Sequence, residues 1–120
     1  MNRPDVDRFL PLKPTVLHIL LTLSDGRSHG YEIMLTVAER SGGAVDISTA
    51  VLYRTLSSLR KNKLIEETRE RPDPDEDDSR RRYYELTPFG RRVLAAELER
   101  LRSVLASRTA RSLLRHADGA

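Results

Sequence analysis

Between Ser48 and Lys63 the chain carries Arg54, Arg60, Lys61 and Lys63 and no acid, a local charge of +4. The whole protein, with 21 Lys+Arg and 18 Asp+Glu, reaches only +3. Leu52, Leu56 and Leu59, spaced four and three apart, predict an amphipathic helix, capped by Ser48 or Thr49 and closed by Asn62 as a left-handed terminator. Ala50, Arg54, Ser57 and Lys61 fall opposite those leucines, with Thr49 and Tyr53 flanking. Hydroxyls and cations on one helix face suit the phosphate oxygens and base edges of a duplex. The same face also suits plain solvation.

A second cationic group, Arg80-Arg81-Arg82, follows an acidic run of Asp73, Asp75, Glu76, Asp77 and Asp78. These arginines either reach phosphates or are held by Asp77 and Asp78 in exposed ion pairs of little energy. Five like charges are repelled by a phosphate backbone, so the acidic tip is expected to point away from a duplex. Asp73, Asp75 and Asp77 alternate like calcium ligands, but Asp78 and Tyr84 stand where that loop needs its glycine and its distal glutamate. No metal or cofactor is expected.

Other chemistries lack their residues. With no Cys there are no thiolate nucleophiles or ligands. His18, His29 and His116 form no paired spacing with each other and no nucleophile–base set, so the chain is not expected to be an enzyme. Aromatic residues are 5% with no Trp, which leaves few stacking platforms for single strands or RNA. Val16–Leu23 is far short of the roughly 20 apolar residues that span a bilayer, and the start of the chain lacks a signal-peptide pattern. The expected location is cytoplasmic, with no membrane partner.

The elements that must position the basic helix can be read in order. One domain fits 120 residues. Pro14 and the apolar set Val16, Leu17, Leu20, Leu21 and Leu23 predict a helix over 13–24, stopped by Asp25-Gly26. A second helix, N-capped by Ser28, carries Tyr31, Met34, Val37 and Ala38 until Ser41-Gly42-Gly43 ends it. Ala44–Ile47 is expected as a short strand. After the basic helix, 64–71 and 80–87 form a hairpin with a long tip, and Thr87-Pro88 opens a last helix to Leu114. This is a mainly α fold with a small β-hairpin, a winged helix-turn-helix plus a long C-terminal dimerisation helix. The expected units are a flexible arm over 1–11, the winged domain over 12–87, the dimerisation helix over 88–114 and a flexible tail over 115–120.

Leu94, Leu98, Leu101 and Leu105 alternate four and three residues apart, as in a coiled-coil seam; Val93, Val104, Leu113 and Leu114 widen the stripe. About 27 residues at 1.5 Å each make a rod of roughly 40 Å, longer than so small a domain covers. The expected interface with a second copy comprises Leu94, Leu98, Leu101, Val104 and Leu105. Two basic helices set about one DNA turn apart would then read a two-fold operator.

Over roughly Leu10 to Leu114 the chain resembles the PadR family of bacterial winged-helix regulators. The resemblance rests on Leu23-Ser24-Asp25-Gly26, His29-Gly30-Tyr31-Glu32-Ile33, Leu52-Tyr53-Arg54, Leu64-Ile65 and Arg81-Arg82-Tyr83-Tyr84-Glu85-Leu86-Thr87. It implies a dimeric, double-stranded DNA-binding transcriptional regulator, usually a repressor, of the short subgroup with one C-terminal helix. It also implies that Tyr53, Arg54 and the wing arginines face DNA. Gly30 then allows close packing, Tyr31 fills the core, and a small apolar effector, unidentified here, enters at the dimer interface. Ala50 and Val51 stand where the family often has Gly-Thr, so an operator does not transfer. The candidate DNA-facing set is Ser48, Thr49, Ala50, Tyr53, Arg54, Ser57, Lys61, Arg80, Arg81 and Arg82. The alternative is a protein-interaction module on the same scaffold.

Overall fold

A computed structural model describes residues 3–69 and 82–119. The order is α1 (Arg3–Asp7), α2 (Pro14–Ser24), β1 (Ser28–His29), α3 (Gly30–Arg40), α4 (Thr49–Lys61), β2 (Ile65–Thr68), β3 (Tyr83–Leu86), α5 (Pro88–Ala106) and α6 (Arg108–Gly119). The strands form an antiparallel sheet in the order β1-β3-β2. Ile19, Leu20, Ile33, Val37, Leu52, Leu56, Leu64 and Val93 meet in one core, drawn from α2, α3, α4 and α5 and closed by the sheet. This is a winged helix-turn-helix with helices α2, α3 and α4 and a two-stranded wing.

Helix starts follow local chemistry. Ser48 Oγ accepts the Val51 N–H at 3.2 Å and caps α4; Thr87 Oγ1 accepts the Gly90 N–H at 2.9 Å and caps α5, with Pro88 in its first turn. The cap of α3 is His29 and not Ser28. His29 Nδ1 accepts the Glu32 N–H at 3.3 Å, which leaves the imidazole proton on Nε2, while Ser28 Oγ donates to Glu32 Oε1 at 2.5 Å. The helix starts only at Gly30, so the cap position falls on His29; Ser28 stands one residue outside it, paired opposite Tyr84 as His29 is opposite Tyr83.

That pairing also explains why Ala44–Ile47 is not a strand. The free edge of β3 is taken by Ser28–His29, and the 44–47 segment turns locally, with Ser41 Oγ accepting the Val45 N–H at 2.9 Å. Asn62 is not the left-handed residue that ends α4; Lys63 is, with φ of 64°. Leu64 N–H bonds to Leu59 O and Lys63 N–H to Arg60 O, a Schellman closure with the two leucines buried beneath it. The end of α3 has the same two bonds but places Gly42 at the left-handed position.

Two further expectations change. Over its described part, 3–11, the expected flexible arm is packed: Val6 is buried against the core, and Phe9 packs edge-to-face on Phe89 with centroids 5.9 Å apart. The C-terminal helix is not continuous to 114. Ser107 adopts an extended backbone (φ −63°, ψ 150°), and its Oγ accepts the Ala110 N–H at 3.2 Å, so it ends α5 and caps α6. No helix among the described residues is long and apolar enough to cross a membrane.

Candidate nucleic-acid interface

Helix α4 buries Leu52, Leu56 and Leu59 and turns Ser48, Thr49, Ala50, Tyr53, Arg54, Ser57 and Lys61 outward. The six α4 positions selected from the sequence and their cap Ser48 therefore lie together on one exposed surface. Their surroundings differ. The Tyr53 ring leans over Gly30, and a Cβ added there would sit 2.6 Å from its hydroxyl oxygen; the ring remains 48% exposed. This contact fixes the tyrosine at the seam between α3 and α4, and it is the close approach that Gly30 permits. Tyr31, expected in the core, is 62% exposed, because Ile33 and Val37 supply the inward face of α3.

The cations on α4 are not equivalent. Arg60 and Lys61 occupy the last turn, where the helix dipole favours positive charge whatever lies outside. Arg60 also reaches Glu67 at 3.5 Å. Arg54 has neither explanation: it sits mid-helix, exposed, with no ion pair among the described residues. A guanidinium with no ion pair among the described residues suits a phosphate or a guanine edge.

In the wing, Arg82 is exposed and lies 3.8 Å from Glu67 on the neighbouring strand. Arg80, Arg81 and the acidic run 72–79, with the alternatives of phosphate contact or pairing with Asp77 and Asp78, fall outside the described residues. Strand β3 buries both Tyr83 and Tyr84. Burial first, and the Glu67 carboxylate second, push the Tyr84 phenol above its ordinary range and keep it protonated. His29 packs edge-to-face on Tyr83 at 5.3 Å, tying the start of α3 to the base of the wing.

The start of α5 locks onto the end of the basic helix. Thr87 N–H donates to Leu64 O at 3.1 Å, and Thr87 Oγ1 lies 2.6 Å from Lys63 O. A Cβ on Gly90 would lie 1.9 Å from Leu64 O, so only glycine fits this crossing. Along α5 the seam selected from the sequence divides. Leu94 and Val93 are buried in the chain's own core, so Leu94 is not free for a partner. Leu101 is half-buried, whereas Leu98, Val104 and Leu105 are exposed, as are Leu113 and Leu114 on α6.

Glu97 was not selected from the sequence. It is 1% exposed, accepts the Leu12 N–H at 2.8 Å and receives Arg100 Nε at 2.5 Å. The Arg100 hydrogen bond, assisted by the Leu12 N–H, holds its carboxyl below the usual glutamate range against the opposing effect of burial. Its sequence signal is a charge four residues after Val93 and four before Leu101, inside the apolar stripe.

The profile of the transcriptional regulator PadR-like family matches residues 17–96, the span from α2 through the core part of α5. The chain belongs to this family. Among solved structures it is similar to a transcriptional regulator from Clostridium thermocellum (27% identity, 75% of this chain and 82% of that one, TM-score 0.62). It is similar also to a PadR family transcription regulator from Clostridium difficile R20291 (24%, 77% and 91%, TM-score 0.64). A third is Bacillus subtilis PadR in complex with operator DNA (23%, 73% and 48%, TM-score 0.59). No curated protein matches significantly in sequence. This PadR-like chain thus shares its winged fold with these regulators.

Proposed function

We propose that this chain is a cytoplasmic, homodimeric transcriptional regulator without catalytic activity that binds double-stranded DNA and represses from a two-fold operator. The observation that carries the reading is the outward face of α4, where Thr49, Arg54, Ser57 and Lys61 stand exposed opposite a fully buried leucine stripe. Membership of a regulator family supports it, as does a structural relative solved on its operator. The uncovered leucines and valine of α5 and α6 support a second copy, since an exposed apolar stripe on a helix is covered at little cost by its own twin.

Selection of bound sequences from a random duplex pool, followed by titration of the winner at several salt concentrations, tests the reading. If each protomer neutralises about three or four phosphates, log affinity should fall against log salt with a slope of roughly −5 to −7. Failure to enrich any duplex would refute it. The protein-interaction alternative has one observation in its favour: Tyr31 and Leu35 lie one turn apart on α3, both exposed. Under that reading no duplex is enriched at all.

A further inference from the structure

Glu97 lies where α5 stops belonging to its own domain. Val93, Leu94 and Ala96 before it are buried, while Leu98, Val104 and Leu105 after it are exposed. Its carboxylate joins two segments. Oε2 accepts the backbone N–H of Leu12, in the connection that leads into α2, 85 residues away in sequence; Arg100, one turn further along α5, donates Nε to Oε1 at 2.5 Å and Nη2 to Oε2 at 3.2 Å. A second tie, Phe9 on Phe89, fastens the same stretch to the start of the helix. Residues 9–12 thus form a strap along the domain-facing side of α5, anchored at Phe89 and at Glu97.

Burying a carboxylate costs several kcal/mol before its partners repay it, and a leucine would fill the same space more cheaply. What the carboxylate adds is direction, because hydrogen bonds fix an angle that apolar packing leaves adjustable. We infer that Glu97, through Leu12 and Arg100, is a positioning residue that sets the angle between the DNA-reading unit and the dimer helix, and hence the half-site spacing the protein accepts. The inference rests on the proposed dimeric DNA-binding reading. The lever is adequate: the molecule measures 51 × 38 × 24 Å. For an arm of about 20 Å, a swing of about 10° moves a reading helix by roughly 3.4 Å, the rise of one base pair.

The test uses the full chain and the duplex selected from the random pool. Base pairs are inserted between its half-sites one at a time, and affinities are compared among wild type, Glu97→Met, Glu97→Gln and a variant lacking residues 1–9. Wild type should lose about tenfold or more on insertion of two base pairs, which displace and rotate one half-site. Glu97→Met, still dimeric by light scattering, should bind the inserted and original duplexes within about threefold of each other. Glu97→Gln, which keeps an acceptor for Leu12, should lie between. Should Glu97→Met fail to fold, the truncated variant carries the same expectation, because it removes the Phe9 anchor. A spacing preference as sharp as wild type in a folded variant would overturn the inference, and so would a flat wild-type response. A wild type that binds no duplex would instead overturn the reading on which the inference rests.

Discussion

Replacing Gly90 by alanine separates two physical effects of opposite sign. Gly90 lies in the first turn of α5, and on helix preference alone alanine should stabilise the protein by up to about 1 kcal/mol. The crossing predicts the reverse. The new Cβ would stand 1.9 Å from Leu64 O, 2.8 Å from Leu64 C and 3.1 Å from Leu64 Cα, and all three are backbone atoms with no rotamer to retreat into. To reach ordinary contact, α5 must withdraw from the end of α4 by about 1 Å or more. Overpacking of that kind costs about 1–3 kcal/mol. Withdrawal also stretches the Thr87 N–H bond to Leu64 O, now 3.1 Å, worth about 1 kcal/mol. The net expected loss is about 1–3 kcal/mol, a fall in Tm on the order of 5–10 °C for a chain of this size. Urea or thermal unfolding at matched protein concentration reads it, concentration being held fixed because a dimer's apparent stability depends on it. Unchanged or increased stability would show that the crossing is loose and that α5 is not locked to α4.

Joint substitution of Leu98→Asp and Leu101→Asp should yield monomers by light scattering, since two carboxylates then face the second copy; a persisting dimer would place the interface elsewhere. Acid titration should show a component from Glu97. Its carboxyl is held below the ordinary glutamate range, so its stabilisation is fully present above that range and is lost as pH falls through the lowered value. Glu97→Gln should therefore flatten the acid limb of the stability–pH curve, and an unaltered limb would refute the pairing with Arg100.

Much of this fold could be read from residue types because local signals and tertiary needs coincide. Thr87-Pro88 and Ser48 act as caps in the structure as their chemistry dictates, and the four-three leucine spacing of α4 is the buried stripe. The reading departs from the structure where a distant partner decides. Ser28 is the better capping residue in isolation, yet α3 begins only at Gly30, the Ser28 hydroxyl donates to Glu32, and the cap falls on His29. Asn tolerates a left-handed backbone better than Lys, but the turn that delivers Leu64 to Thr87 puts that conformation at Lys63. Leu94 continues the seam in spacing, but its turn of α5 still lies over the domain core. Ser107 carried a local signal, a capping hydroxyl three residues before Ala110, that the longer leucine periodicity concealed. For the candidate interface, the outward positions of α4 follow from periodicity alone, whereas the contact of Tyr53 with Gly30 and the role of Glu97 depend on chain segments brought together only by folding.

The α4 reading is tested most directly by Arg54→Ala. The side chain is exposed and free of ion pairs among the described residues, so its removal should change stability by no more than about 0.5 kcal/mol. With the duplex selected by wild type, at fixed salt, affinity should fall about tenfold or more, the cost of one lost base or phosphate contact in each protomer. Equal affinity of the two proteins for that duplex would contradict the placement of α4 against DNA.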